Sequence, residues 1–217
     1  MKSWQFLITN SSEFILLINI VLSLVCRWKD WPLLKYFSWL LLFSLIVQVV
    51  AKIMWLRKMN NLPLLHLYTL GEFVLMSFFY HQMFKKNLIW AKNNRWFIAI
   101  VMALILINSI FFQPITVFNT NTKTLTQVIY IAYAVGFFLN DTHHQTESYH
   151  NVLKTINSAI LMYYAGSLFI FMFGNVLLGL EQRHNLFWVA NALLYLIFQL
   201  LVFTAIWQFR QTKSTYS

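Results

Sequence analysis

Seven long apolar runs, each closed by a polar turn, divide this chain into residues 6–26, 34–56, 64–84, 96–112, 125–140, 155–178 and 186–209. Crossing a hydrocarbon layer of ~30 Å takes about 20 helical residues at ~1.5 Å each, with about 17 to 25 tolerated. Five runs meet that length comfortably and the fourth is marginal. The fifth is short unless Thr122 to Thr124 extend it to residues 122–140, or Asp141 to His144 extend its far end. The expected fold is all-α, a polytopic membrane helix bundle of seven spans in a single domain covering residues 1–217. Six spans, with the fifth run re-entrant or interfacial, is the alternative.

Composition supports the bilayer. Only 10% of the 217 residues are charged, against about 25% in an ordinary soluble domain, so the chain lacks the charge to coat a water-facing surface. Its 21 Phe, 10 Tyr and 9 Trp suit lipid-facing and interfacial surfaces. The net charge of +10 is spread over the ends of apolar runs, where positive residues flank spans, so no nucleic-acid partner is expected. Glu13 interrupts the first run and no small-residue cleavage site follows, which favours a retained helix over a signal peptide. The single Cys26 forms no intrachain disulfide. Ten Lys and Arg flank one face of the bundle and six the other, which places the N-terminus outside and the C-terminus in the cytoplasm. The expected location is a cell membrane, the inner one if the cell is Gram-negative.

Polar groups inside the runs are the candidates for function. Glu72 lies roughly 12 Å into the third run. At about 100° per residue, Tyr68 falls within about 40° of it and Thr69 within about 60°. A carboxylate at that depth faces a bundle interior or a cavity, where it is paired, neutralised or hydrated. Ser44, Gln48 and Lys52 recur every fourth residue on the second helix, so Lys52 is the expected counterion of Glu72. Asn191, Tyr195 and Gln199 form a second stripe on the last helix. Together Glu72, Lys52, Tyr68, Thr69, Gln48, Asn191, Tyr195 and Gln199 make a candidate ligand or proton site, with plain interhelical hydrogen bonding as the competing reading.

The connector after the fifth run holds His143, His144, Glu147 and His150. In a helix, His143, Glu147 and His150 share a face, and imidazole with carboxylate is an ordinary Zn or Fe donor set. The spacing is not that of a metalloprotease helix, and a solvated polar loop is the alternative. Phosphate-binding glycine loops, nucleophile elbows and Cys-x-x-Cys pairs are absent from the sequence. The last helix carries no Lys between residues 186 and 209, so no retinal Schiff base is expected there.

At residues 61–73 an Asn-rich turn leads into His66, Tyr68, Thr69, Glu72 and Phe73. This stretch resembles a pattern in uncharacterised small seven-helix membrane proteins of Bacteroidetes. The resemblance implies no particular reaction, cofactor or ligand. The functional expectation is a sensory or signal-coupling protein with an intramembrane polar pocket around Glu72 and a membrane or cytoplasmic signalling partner, since the connectors are too short for an output domain of their own. A metal-assisted membrane enzyme acting on lipid, and a proton- or ion-coupled small-solute transporter, are the alternatives.

Overall fold

The computed structural model describes residues 3–26, 31–84, 88–139, 147–178 and 184–215. These form α1 (Ser3–Val25), α2 (Pro32–Leu56), α3 (Leu62–Met83), α4 (Leu88–Ile107) with a π-helical turn over Asn108–Phe112, α5 (Thr120–Leu139), α6 (Glu147–Met172), the short α7 (Gly174–Leu178) and α8 (His184–Thr215). No strand occurs among the described residues. Among the described residues six helices are long and apolar enough to cross a membrane, and α1 adds the shorter apolar stretch Asn10–Val25. The chain is an all-helical, multi-pass membrane protein.

Local chemistry sets the helix ends. Pro32 and Pro63 open α2 and α3 in the first turn, where a missing N–H leaves no bond unmade. At the end of α2, Lys58 takes a left-handed conformation (φ 56°), and the Met59 N–H reaches back to the Met54 carbonyl at 2.9 Å. That bond closes the helix in the manner usually left to glycine. The Asn60 side chain then accepts from the Leu62 N–H at 3.0 Å and turns the chain into α3.

Several boundaries move relative to the hydropathy reading: the sixth run breaks after Met172 into α6 and α7, the last helix continues to Thr215 rather than 209, and two helices start early. α4 begins at Leu88 rather than 96, and α6 at Glu147 rather than 155. Helix formation satisfies backbone groups whether or not the side chains are apolar, so helices run on through polar ends that a hydropathy window excludes. The fifth helix is a full-length candidate span, Thr120–Leu139. Its polar first turns are buried inside the protein: Thr120, Thr122, Lys123, Thr126 and Gln127 all lie in the interior.

Consecutive long helices run in opposite directions, and six of them close a ring. α1 packs on α2, α2 on α3, α3 on α5, α5 on α6, α6 on α8, and α8 returns to α1. α4 lies outside this ring against α3. The buried centre is aromatic, with Tyr80 and Tyr133 at 4.9 Å between ring centroids and Tyr130 edge-on to Tyr164 at 4.7 Å. Toward the end of the bundle opposite the N-terminus, Tyr80 donates to the Asn157 side-chain oxygen at 2.8 Å. At that same end Trp31 packs on Tyr149 and Phe209, at 4.9 and 5.8 Å, an aromatic cluster joined to the core.

An amide pair lies where the ring closes between α1 and α8. Asn19 on α1 donates to both the backbone and the side-chain oxygen of Gln199 on α8, at 2.8 and 2.9 Å, and both residues are fully buried. Asn19→Ala is expected to lower stability by about 0.6 to 1.7 kcal/mol, the range for a single intramembrane polar contact. Thermal unfolding in detergent reads that loss directly; an unchanged midpoint would show that apolar packing alone holds α1.

Candidate functional site

Glu72 is the centre of the site, with 1% of its surface exposed. Its Oε2 accepts from the Lys123 ammonium at 2.6 Å and its Oε1 from the Tyr164 hydroxyl at 3.0 Å. Lys123 is buried as deeply, its side chain 5% exposed. The ammonium also sits over two aromatic faces, 4.9 Å from the Tyr68 centroid and 5.3 Å from that of Phe171. α3, α5 and α6 are thus tied at one point by a charge-assisted pair whose remaining N–H bonds are directed among π-faces.

The expected partner was Lys52, and this is corrected. Lys52 bonds Glu13 at 2.6 Å and Asn10 at 3.0 Å on α1, with the Lys52 and Glu13 side chains 46% and 37% exposed. Its long stem carries the charge to the rim, where hydration costs nothing, while the interior position goes to a lysine whose helix starts polar. The other residues of the same α2 stripe do turn inward. Ser44 lies 3.3 Å from the Tyr68 hydroxyl, and Gln48 donates to the Tyr195 hydroxyl at 3.0 Å.

Gln48 and Tyr195 stand between the surface pair and the buried one. Gln48 lies one helical turn from Ser44 and one from Lys52 on α2. Tyr195 stacks on Phe198 at 5.9 Å and meets Tyr163 edge-on at 5.5 Å. Gln48, Tyr68, Asn191 and Tyr195 are all half-buried. The result is a polar lane from the Glu13–Lys52 rim to the Glu72–Lys123 floor, along facing stretches of α2, α3 and α8. Two of the expected site residues have other hydrogen-bond partners. Thr69 accepts from Asn119 at 2.7 Å on the far side of α3, and Gln199 is held by Asn19.

On the α4 and α5 side the floor is roofed by residues 113–119. His66 bonds Ser109 through Nδ1 at 2.9 Å, and its Nε2–H donates to the Val117 carbonyl at 3.0 Å. Asn119 donates to the Leu65 carbonyl at 3.1 Å as well as to Thr69, and Asn175 donates to the Phe118 carbonyl at 3.0 Å. Gln113 donates to Thr120 at 2.7 Å. Beneath the pair, Gln127 donates to Ser167 at 2.9 Å, a second polar link between α5 and α6. The roof is therefore fastened to three helices at once, and the π-helical turn at Asn108–Phe112 brings Ser109 to His66.

Of the expected metal ligands, His143 and His144 lie outside the described residues, as does the side chain of Glu147. His150 is buried in the first turns of α6, its ring 6.2 Å from that of Phe137. Among the described residues no group of three or more His, Cys, Asp or Glu is placed to hold a metal ion. Lys123 is the functional candidate that the hydropathy reading passes over. Its signal was present: Thr120, Lys123, Gln127, Tyr130, Ala134 and Phe137 recur at helical spacing and all face inward.

Comparison with known proteins returns no matching family model, no matching curated relative and no matching solved structure.

Proposed function

We propose that this chain is a sensory or signal-coupling protein of a bacterial inner membrane, with seven spans, its N-terminus outside and its C-terminus in the cytoplasm. Glu72, Lys123 and Tyr164 form its responsive centre. The observation that carries this reading is the buried ion pair at the inner end of a polar lane. A buried pair contributes little net stability over well-packed apolar side chains of equal volume, so stability alone does not account for its presence. It does give three helices a shared contact with two alternative arrangements: Glu72 held by Lys123, or Glu72 and Lys123 each engaged by something else. A proton or small polar ligand that prefers the second arrangement shifts the packing of α3, α5 and α6 by as much as its affinity differs between the two. A hundredfold preference amounts to about 2.7 kcal/mol. The connectors carry no domain, so the change passes through the helices to a partner.

The orientation rests on the flanking charges. With Lys123 withdrawn into the interior, the six basic residues on the outer side become five, against ten on the other.

The test is a thermal-shift screen of small charged and polar compounds, and of pH, on the purified protein in lipid nanodiscs. The expected result is a condition that moves the wild-type midpoint by several degrees and leaves the Glu72→Gln/Lys123→Met variant unmoved. If no condition separates the two proteins, the sensory reading fails and the pair is a structural tie.

A further inference from the structure

The opposite end of the molecule holds a second feature that the Glu72 site does not use. On α8, Phe203, Thr204, Trp207 and Gln208 line a cleft of about 360 Å³ on the outer surface of the bundle. Its lining is mainly apolar, and Trp207 leaves 47% of its surface open there. Gln208 is fixed at the cleft by a hydrogen bond from Thr155 of α6 at 3.0 Å. One turn beyond, the Arg210 guanidinium lies over the Trp207 ring, 5.5 Å from its centroid.

Arg210 is exposed and makes no ion pair among the described residues. A guanidinium held over an indole still has N–H groups to offer, and their fork matches a phosphate in bidentate geometry. The neighbourhood adds to this charge. The patch lies at the end of the bundle where Trp31, Tyr149 and Phe209 pack together, and Lys35 and Lys154 stand in the helix ends there. An apolar cleft that ends in an exposed guanidinium with no ion pair among the described residues has the two halves of a phospholipid site: a wall for an acyl chain and a donor set for the headgroup.

We infer that α8 carries a binding site for an anionic phospholipid, with one acyl chain against Phe203 and Trp207 and the phosphate on Arg210. The charge decides the class. A zwitterionic lipid brings its own cation beside the phosphate and gains less from this end of the protein, whereas each Lys or Arg near an anionic headgroup contributes about 1 kcal/mol, or about fivefold in affinity. The site lies far along α8 from Asn191 and Tyr195, so its failure leaves the Glu72 reading untouched.

Native mass spectrometry of the delipidated, detergent-purified protein tests this with phosphatidylglycerol and phosphatidylcholine of identical acyl chains. Wild type is expected to retain phosphatidylglycerol at least about fivefold more strongly. Arg210→Gln should bring the two lipids level, while Trp207→Ala should weaken both. Both substitutions fall on exposed positions, and an unchanged melting midpoint in detergent shows that the variants fold. Equal retention of the two lipids by wild type would overturn the site, as would an Arg210→Gln variant that keeps the preference.

Discussion

Lys123→Met is expected to destabilise the folded protein by about 3–5 kcal/mol, because it leaves the Glu72 carboxylate buried with only the Tyr164 hydroxyl for a partner. Glu72→Gln is expected to cost less, since the amide oxygen still accepts from the ammonium while the charge goes uncompensated. The double variant removes both charges and should recover much of the loss, giving a coupling of about 0.5 to 3 kcal/mol in a double-mutant cycle. Lys52→Met is the control. Its pair with Glu13 is open to solvent, and such pairs contribute about 0.2–1 kcal/mol. Thermal or steric-trap unfolding in detergent measures all four proteins. Additive effects of the Glu72 and Lys123 changes, or a Lys52 effect as large as that of Lys123, would remove the pair from the centre of the site.

The second large effect comes from Gly71, one residue before Glu72. A Cβ at this position would stand 2.5 Å from the Phe43 ring carbon Cζ on α2. Moving that ring disturbs a stack. It stacks on Tyr68 at 5.9 Å with an interplanar angle of 8°, and Tyr68 in turn faces Lys123. Gly71→Val is therefore expected to cost about 1–3 kcal/mol through overpacking and to disturb the ion pair through the two rings. Gly71→Ala should cost less, as alanine returns up to about 1 kcal/mol of helix propensity. Combining Gly71→Ala with Phe43→Leu should recover stability by making room. Gly136 gives the contrast: its added Cβ would meet Phe84 at 3.7 Å, an ordinary contact, so Gly136→Ala is expected to be neutral or mildly stabilising. A Gly71→Ala protein more stable than wild type, with or without Phe43, would show that α2 and α3 do not meet this closely.

Hydropathy makes most of this architecture legible because six helices are apolar over a full membrane width. The same measure hides the site. Glu72 stands out as a charge inside an apolar run, but Lys123 sits where a run begins and reads as a flanking charge. Only the inward periodicity from Thr120 to Phe137 distinguishes a polar helix start that is buried from one that meets water. The choice of Lys52 fails for a related reason. Fourfold spacing places it with Ser44 and Gln48, and both of these do face the interior, yet a lysine stem is long enough to leave the face its Cα occupies. The roof over residues 113–119 has no sequence signal of comparable strength, since His66, Asn119 and Asn175 are scattered along the chain and converge only in the folded bundle.

The triad also bears on how the protein enters the membrane during synthesis. Its three helices are the least apolar of the six candidate spans, with mean hydropathies of 1.4 for α3, 1.2 for α5 and 1.4 for α6 against 2.1 for the others. Glu72 and Lys123 are separated by 51 residues, so at a translation rate of about 5–20 residues per second α3 waits about 3–10 s for its counterion. A lone charge at mid-membrane carries an insertion cost of about 2.5–3.5 kcal/mol. Such helices partition poorly one at a time, and their release into lipid is favoured as a group, after Lys123 and Tyr164 have reached Glu72. The contact that organises the finished bundle thereby sets the order of its assembly: α2 and α4 settle early, and the polar helices between and after them follow together.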